Sequence, residues 1–415
     1  MLLIRRATIG IVLLAILFLC GFWGAYHFQR SHLKMGEHRI RLNPAAGINS
    51  KKQYLLRLWE DEWPEEYGKG YQKYLQGAIS DFQKKYPNIK IEVSGLDLLD
   101  GPAALARALR DNVAPDLYCS VFRVPPFDYR RQIPVSPYLS GKEIEIYHPA
   151  LRRIASVDGY LGYFPRWAGL NLWIANRFFL EKAGLRANQI RETGWSWEDM
   201  LTLAPVLTEK EFLLVGDPGA AGFGNYLFNQ GTLKNGFAEN ALLEKLKRLK
   251  EAAPPPSGFA TNMLGLFLSG RAAILAGAGP GLAGFIRNKA QNSAAAGAPV
   301  LLPPPRLSSN GERLPVDLGV IAVYRNKKGK GDDQLAAAVK FGQFLSVYRT
   351  DFIWREMRLF PAGCSNGVND ADYLFAKKLL ERAVVVNSGF KEQWREAARA
   401  VEDYLAGKTG LISFK

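Results

Sequence analysis

Glu60, Asp61 and Glu62 form an acidic run that ends in Trp63 and follows directly on the compact apolar stretch 53–59. In a turn beyond the carboxyl end of a strand, such carboxylates can accept paired hydrogen bonds from sugar hydroxyls, and an indole can stack on a pyranose face. A solvated acidic turn with its tryptophan packed on the surface has the same sequence pattern. Trp167, Asn171 and Trp173 form a second group. Alternate residues of a strand share a face, so 167, 169, 171 and 173 would line a cleft with two indoles and an amide. Core tryptophans on a buried strand would show the same spacing. The third group is Gly279-Pro280-Gly281-Leu282-Ala283-Gly284, which satisfies G-x-G-x-x-G after a strand. No acidic residue follows at the spacing a dinucleotide site requires, which argues against that reading. Bare N–H groups at a helix start, around Gly279 and Gly281, would suit a hydroxyl-rich or anionic ligand. Gly407-Lys408-Thr409 has the ending of a phosphate loop, but Glu402 stands where its first glycine is required.

Other chemistries lack their residues. The 415-residue chain has four histidines, and only His148 lies beyond His27, His32 and His38 near the N-terminus. One imidazole for the whole body argues against a His-built metal site and against Ser-His-Asp or Cys-His catalysis. Cys20, Cys119 and Cys364 include no Cys-x-x-Cys, and a Cys119–Cys364 pairing stays open. An enzyme would have to work with carboxylates, lysines or a cofactor; neither a metal nor a cofactor is expected. The net charge of +15 divides into +5 from residues 1–42 and +10 from the rest. No basic run is interleaved with aromatics, so no nucleic-acid partner is expected, and a basic surface would face anionic lipid or wall polymer.

Arg5 and Arg6 precede about 20 residues without a charge, the length of a bilayer core. Residues 1–28 therefore read as a membrane anchor, with Trp23 and Tyr26 at the interface and the body on the extracellular face. A lipoprotein signal cut before Cys20 and an ordinary cleaved signal are the alternatives. Residues 29–52 are polar and aperiodic and read as a tether. Beyond them, Gln53–Trp59 reads as a strand and Tyr71–Tyr86 as a helix with its apolar face at 71, 74, 75, 78, 79, 82 and 86. Ile89–Val93 and Asp116–Phe122 read as strands flanking a helix at Ala103–Leu109, the alternation of a parallel α/β sheet. Strands follow at Leu161–Phe164 and Leu170–Ala175 around a Pro165 break. Later come a strand at Ala272–Ala276, another at Val316–Tyr324 and a helix at Asp332–Ser346. Arg382–Val386 and Lys391–Leu405 close the chain as helix. Pro254–Pro256 and Pro303–Pro305 bracket a second α/β stretch, so the chain reads as two lobes traced discontinuously.

Several segments in order resemble the family-1 extracellular solute-binding proteins of ABC importers, the type that includes sugar and maltose receptors. They are Asp81–Val93 (DFQKKYPNIKIEV), Ala114-Pro115-Asp116-Leu117, Asp158–Pro165 with Asn176–Leu185, and Gly194-Trp195-Ser196-Trp197-Glu198-Asp199. Phe267–Ile274 with its glycine-rich sequel, Ala336–Leu345 and Phe360-Pro361-Ala362 complete the series, which spans nearly all of 53–407. The resemblance implies a type II periplasmic-binding-protein-like α/β fold. Lobe I would hold 53–168 and 303–365, and lobe II 169–302 and 366–415, joined by a hinge. It also implies a receptor that closes on a small-molecule solute, a sugar or oligosaccharide, and delivers it to ABC permease subunits without catalysis. Trp394 resembles the family's late cleft tryptophan. Gly281 and Val121 stand where many sugar receptors carry an aromatic. Trp195 and Trp197 read as a structural staple at a helix start. A membrane-anchored sensor or adaptor with the same bilobed body is the main alternative, and a carboxylate-based glycan-processing enzyme the third.

Overall fold

The computed structural model describes residues 32–63, 65–97, 100–206, 213–216, 244–245, 247–248, 251, 263–290, 298–306, 314–325, 331–363, 368 and 370–385. The expected anchor at 1–28, Trp394 and the closing helix at Lys391–Leu405 lie outside the described residues. Among the described residues no helix is long and apolar enough to cross a membrane.

Strand β3 (Tyr54–Asp61) buries Tyr54, Leu56 and Leu58 at alternate positions. Helix α1 (Glu65–Lys85) then covers the sheet with Tyr71, Tyr74, Leu75, Ala78 and Phe82, the face its periodicity announces. Burying Phe82 and Leu75 alone contributes roughly 2 kcal/mol each. Pro87 follows the helix, and β4 (Ile89–Leu96) returns parallel to β3. Helix α2 (Gly101–Arg110) leads to β5 (Leu117–Ser120), which pairs parallel with the other edge of β3. The two crossovers make β4, β3 and β5 the parallel unit the sequence predicts, within a sheet that is mixed as a whole.

The central strand of that sheet is β14 (Leu314–Tyr324). It pairs antiparallel with β5 on one side and with β9 (Phe164–Leu170) on the other. Short strands β6 (Gln132–Ile133) and β15 (Phe360–Pro361) add to β14 and β9. A small ribbon, β7 (Ser156–Val157) and β8 (Tyr160–Leu161), sits beside them. The second sheet has the order β11 (Leu213–Gly216), β12 (Ala272–Ala278), β10 (Leu172–Asn176), β13 (Pro299–Leu302). Asn171 alone separates β9 of the first sheet from β10 of the second. The chain crosses back between Leu302 and Leu314.

The structure corrects four expectations. Residues 29–52 do not form a simple tether, because β1 (His32–Met35) and β2 (His38–Arg41) make a hairpin that buries Met35, Ile40 and Leu42. Each strand has four residues and the hairpin is rich in charge, so its period of two is too short to register in a linear reading. Pro165 does not break a strand: β9 runs through it, with a register shift opposite Gly319 and Val320 that accommodates the missing N–H. Residues 382–386, expected as helix, include the strand β16 (Ala383–Val385), whose paired valines favour extended backbone. That strand pairs parallel with β14, and Tyr373 of the helix before it stacks on Phe360 at 5.0 Å. Residues 371–385 therefore belong with the first sheet, not with lobe II.

Ser140 caps the short helix Gly141–Glu145 in a reciprocal box with Glu143. Hydrogen bonds from Gln343 and from Ser140, with Lys340 nearby, hold the Glu143 carboxyl at about 2, below its ordinary 4.5. A carboxyl depressed in the folded state stabilises fully above its unfolded value and loses that contribution as pH falls toward the folded value. Glu143→Gln keeps the cap geometry but removes the charge. Denaturant titrations should find this variant less stable at pH 6, with the two proteins converging near pH 2. A difference that persists unchanged down to pH 2 would contradict this assignment.

Candidate functional site

Strands β3, β5 and β9 all point the same way, since β5 and β9 are both antiparallel to β14. Their carboxyl ends, Asp61–Trp63, Ser120–Arg123 and Leu170–Asn171, therefore share one edge of the sheet. That edge is where ligands bind in open α/β folds.

The two strand-end carboxylates turn inward. Glu60 continues the buried 54, 56, 58 face of β3, and its Oε1 accepts hydrogen bonds from Arg166 Nη1 at 2.9 Å and from the Tyr71 hydroxyl. Arg166 Nη2 also donates to the Tyr71 oxygen at 2.7 Å. Burial pushes the Glu60 carboxyl up, and the Arg166 guanidinium opposes it. Asp61 is fully buried and accepts from Tyr118 Oη at 2.7 Å and Ser120 Oγ at 3.3 Å, with Arg123 Nε at 3.7 Å. Burial raises its carboxyl as well, against the hydrogen bond from Tyr118 and the Arg123 charge. Neither group faces solvent in this arrangement, and the exposed carboxylate of the run is Glu62.

Trp63 is half-buried at the rim. Its ring stacks on Tyr71 at 4.7 Å, leans on Trp167 at 5.2 Å and meets the edge of Phe122 at 5.6 Å. Trp167 is fully buried and donates Nε1–H to the Val121 carbonyl at 2.8 Å. Asn171 occupies the crossover, and its side-chain Nδ2 is buried with no partner among the described residues. The expected alignment of 167 and 173 on one face ends at that crossover. Trp173 lies in the second sheet, buried edge-on to Trp195 at 6.3 Å, and serves as core there. Trp195 donates to the Pro303 carbonyl at 2.8 Å, and Trp197 is buried at the first turn of a helix capped by Ser196.

Gly279 follows β12 directly and reaches the crossover: a Cβ there would stand 3.2 Å from the Leu170 carbonyl oxygen. Gly281 sits in the first turn of the helix Pro280–Ala290, partly exposed. The edge thus gathers Glu60, Asp61, Trp63, Trp167 and Asn171, with Gly279 approaching from the second sheet, while Trp173 is elsewhere. Sequence reasoning missed Tyr71, Phe122, Arg123 and Arg166. Tyr71 read only as helix core, and Phe122 follows the buried Val121 at which an aromatic was sought. Arg166 had a signal, a lone charge inside an otherwise apolar strand. Among the described residues no group of three or more His, Cys, Asp or Glu could hold a metal ion, and the Cys119 thiol is buried and pushed far up by that burial.

Two sheets joined at the Asn171 crossover and again between Leu302 and Leu314, with an aromatic rim at the strand ends, define a two-lobed binding protein. The chain belongs to the bacterial extracellular solute-binding protein family, whose profile matches residues 63–346. No curated protein matches the sequence. A candidate oligosaccharide periplasmic-binding protein from Synechococcus sp. MITs9220 superposes with a TM-score of 0.62 at 18% identity, over 86% of this chain and 94% of that one. The cyclic alpha-maltosyl-1,6-maltose binding protein of Arthrobacter globiformis gives 0.58 at 16% identity, over 86% and 95%. The GacH receptor of Streptomyces glaucescens, solved unliganded and with acarbose, gives 0.58 at 18% identity, over 86% and 94%.

Gly319 of β14 faces Trp167, and a Cβ there would fall 2.6 Å from Cε2 and 2.8 Å from Cδ1 of the indole. Gly319→Ala must displace a ring held by its hydrogen bond to Val121. We expect destabilisation of about 1–3 kcal/mol in denaturant titrations, with a shift in tryptophan emission. An unchanged midpoint would show that the ring is not fixed as described.

Proposed function

We propose that the protein is the receptor of an ABC importer, capturing a sugar or oligosaccharide between its two lobes and presenting it to permease subunits. The observation that carries this reading is the half-buried Trp63 at the rim, backed by Tyr71, Trp167 and Phe122 at the strand ends. A rigid indole face is the surface that the apolar side of a pyranose ring fits. Asn171 adds a buried amide without a partner among the described residues, placed at the crossover where a solute hydroxyl could accept from it. The sugar-binding names of the structural neighbours support a carbohydrate over other solutes. Lobe closure would enclose the solute, and its free energy comes from the ligand's preference for the closed arrangement. The receptor would act without catalysis. Residues 1–28 would hold it on the outer face of the cell membrane as an anchor, or a lipid on Cys20 would do so after cleavage of the preceding signal.

A thermal-shift screen of mono- and oligosaccharides tests this, because ligand at one hundred times its Kd stabilises by about 2.7 kcal/mol. At least one carbohydrate should raise the melting temperature. Trp63→Ala should weaken its binding by roughly tenfold, about 1.4 kcal/mol, while unfolding stays cooperative. No shift with any sugar, or turnover of a glycan by the purified protein, would overturn the reading.

A further inference from the structure

Arg166 is the residue the site does not obviously need. It lies in the middle of β9, where Trp167 pairs with Gly319 and Pro165 with Val320, so no residue of β14 stands opposite it. A bulge of this kind re-aims the side chain it contains. The guanidinium is carried inside, with its side chain 1% exposed. There it binds Glu60 Oε1 and the Tyr71 hydroxyl through two different nitrogens, at 2.9 and 2.7 Å. Its carbon lies 4.0 Å from the Trp167 ring centroid and 5.5 Å from that of Tyr71. Those are two of the three rings on which Trp63 rests. One planar group thus touches two supports of the rim indole, one on α1 and one on β9, and ties both to the end of β3.

Stability is a poor reason for such a group. Desolvating a buried ion pair offsets its attraction, and a well-packed apolar pair in its place is often neutral or stabilising. Geometry is the better reason, since the fork of a guanidinium fixes two partners at set angles as an apolar side chain cannot. We propose that Arg166 and Glu60 are positioning residues that set the angle of Tyr71 and Trp167 and so hold Trp63 at the rim. Glu60 then acts through Arg166 and does not touch the solute. The functional part of this inference rests on Trp63 being the sugar-stacking face.

The full chain carrying Glu60→Met together with Arg166→Met tests it, with Trp63→Phe made in both backgrounds. The wild-type-minus-Trp63→Phe difference in near-ultraviolet circular dichroism isolates the Trp63 contribution, and acrylamide quenching reports its exposure. The double variant should melt cooperatively, somewhat lowered because the buried Tyr71 hydroxyl loses both partners, yet lose at least about half of the Trp63 difference signal, as aromatic coupling depends on ring geometry. Arg166→Lys, which keeps the charge but not the fork, should lose part of it without unfolding. A folded double variant with the wild-type difference spectrum would overturn the proposal. Should the double variant fail to fold, Arg166→Lys decides by the same criterion. The spectra need no ligand, so a wild-type protein that binds no sugar would sink the solute reading alone.

Discussion

A guanidinium cannot leave water without partners, and Arg166 has left it almost completely. Much of the site edge follows from that constraint. Glu60 must sit on the buried face of β3, and Tyr71 must bring its hydroxyl to the same point from α1. The strand bulges at Arg166, and Gly319 must lack a side chain so that the neighbouring indole can lie flat beside β14. Burial pushes the Glu60 carboxyl toward its neutral form, and the field of Arg166 is the largest influence against it. An acidic run that reads as a ready set of hydrogen-bond acceptors is thereby divided. Glu60 and Asp61 organise the protein, and only Glu62 and Trp63 remain at the rim.

How much of this was legible depends on the range of the interaction that decides it. The helix from Tyr71 onward and the strand β3 before it were readable because each buries one regular face, and a period of 3.6 or 2 is a local property. The burial of Glu60 was also within reach: residues 54, 56 and 58 point inward, and 60 is the next step of the same alternation. Its partner lies 106 positions away, however, and no local pattern connects them. Asn171 lies at the crossover between the sheets, and the reading of 167 to 173 as one strand failed because a change of sheet leaves no mark in apolar content. The hairpin at 32–41 escaped for a different reason. Two four-residue strands have too few apolar positions to stand out from their charges, although Met35, Ile40 and Leu42 are as buried as the main core. Residues 383–385 show tertiary context deciding between helix and strand, since β14 offered a free pairing edge to two valines.

The two sheets are covalently closest at Asn171, between the buried Leu170 and Leu172. Leu170 pairs with Val316 at one end of β14, and Leu172 pairs with Ala278 at the end of β12. Both flanking residues are therefore fixed to separate sheets, and a rotation of one lobe against the other must be absorbed within about one residue here. Gly279 packs against the Leu170 carbonyl at this point, so the glycine-rich loop of the second sheet lies against the crossover itself. A solute bonded to the Asn171 amide and resting on Trp63 would touch the pivot and the rim of the first lobe together. Contact with the second lobe made only on closure is what would let such a ligand shift the lobe equilibrium, because a ligand that binds both arrangements equally moves nothing. The positioning of Trp63 by Arg166 then acquires its mechanical meaning. An indole free to turn would follow the solute in either arrangement, whereas a fixed one favours the arrangement in which the second lobe completes the contact.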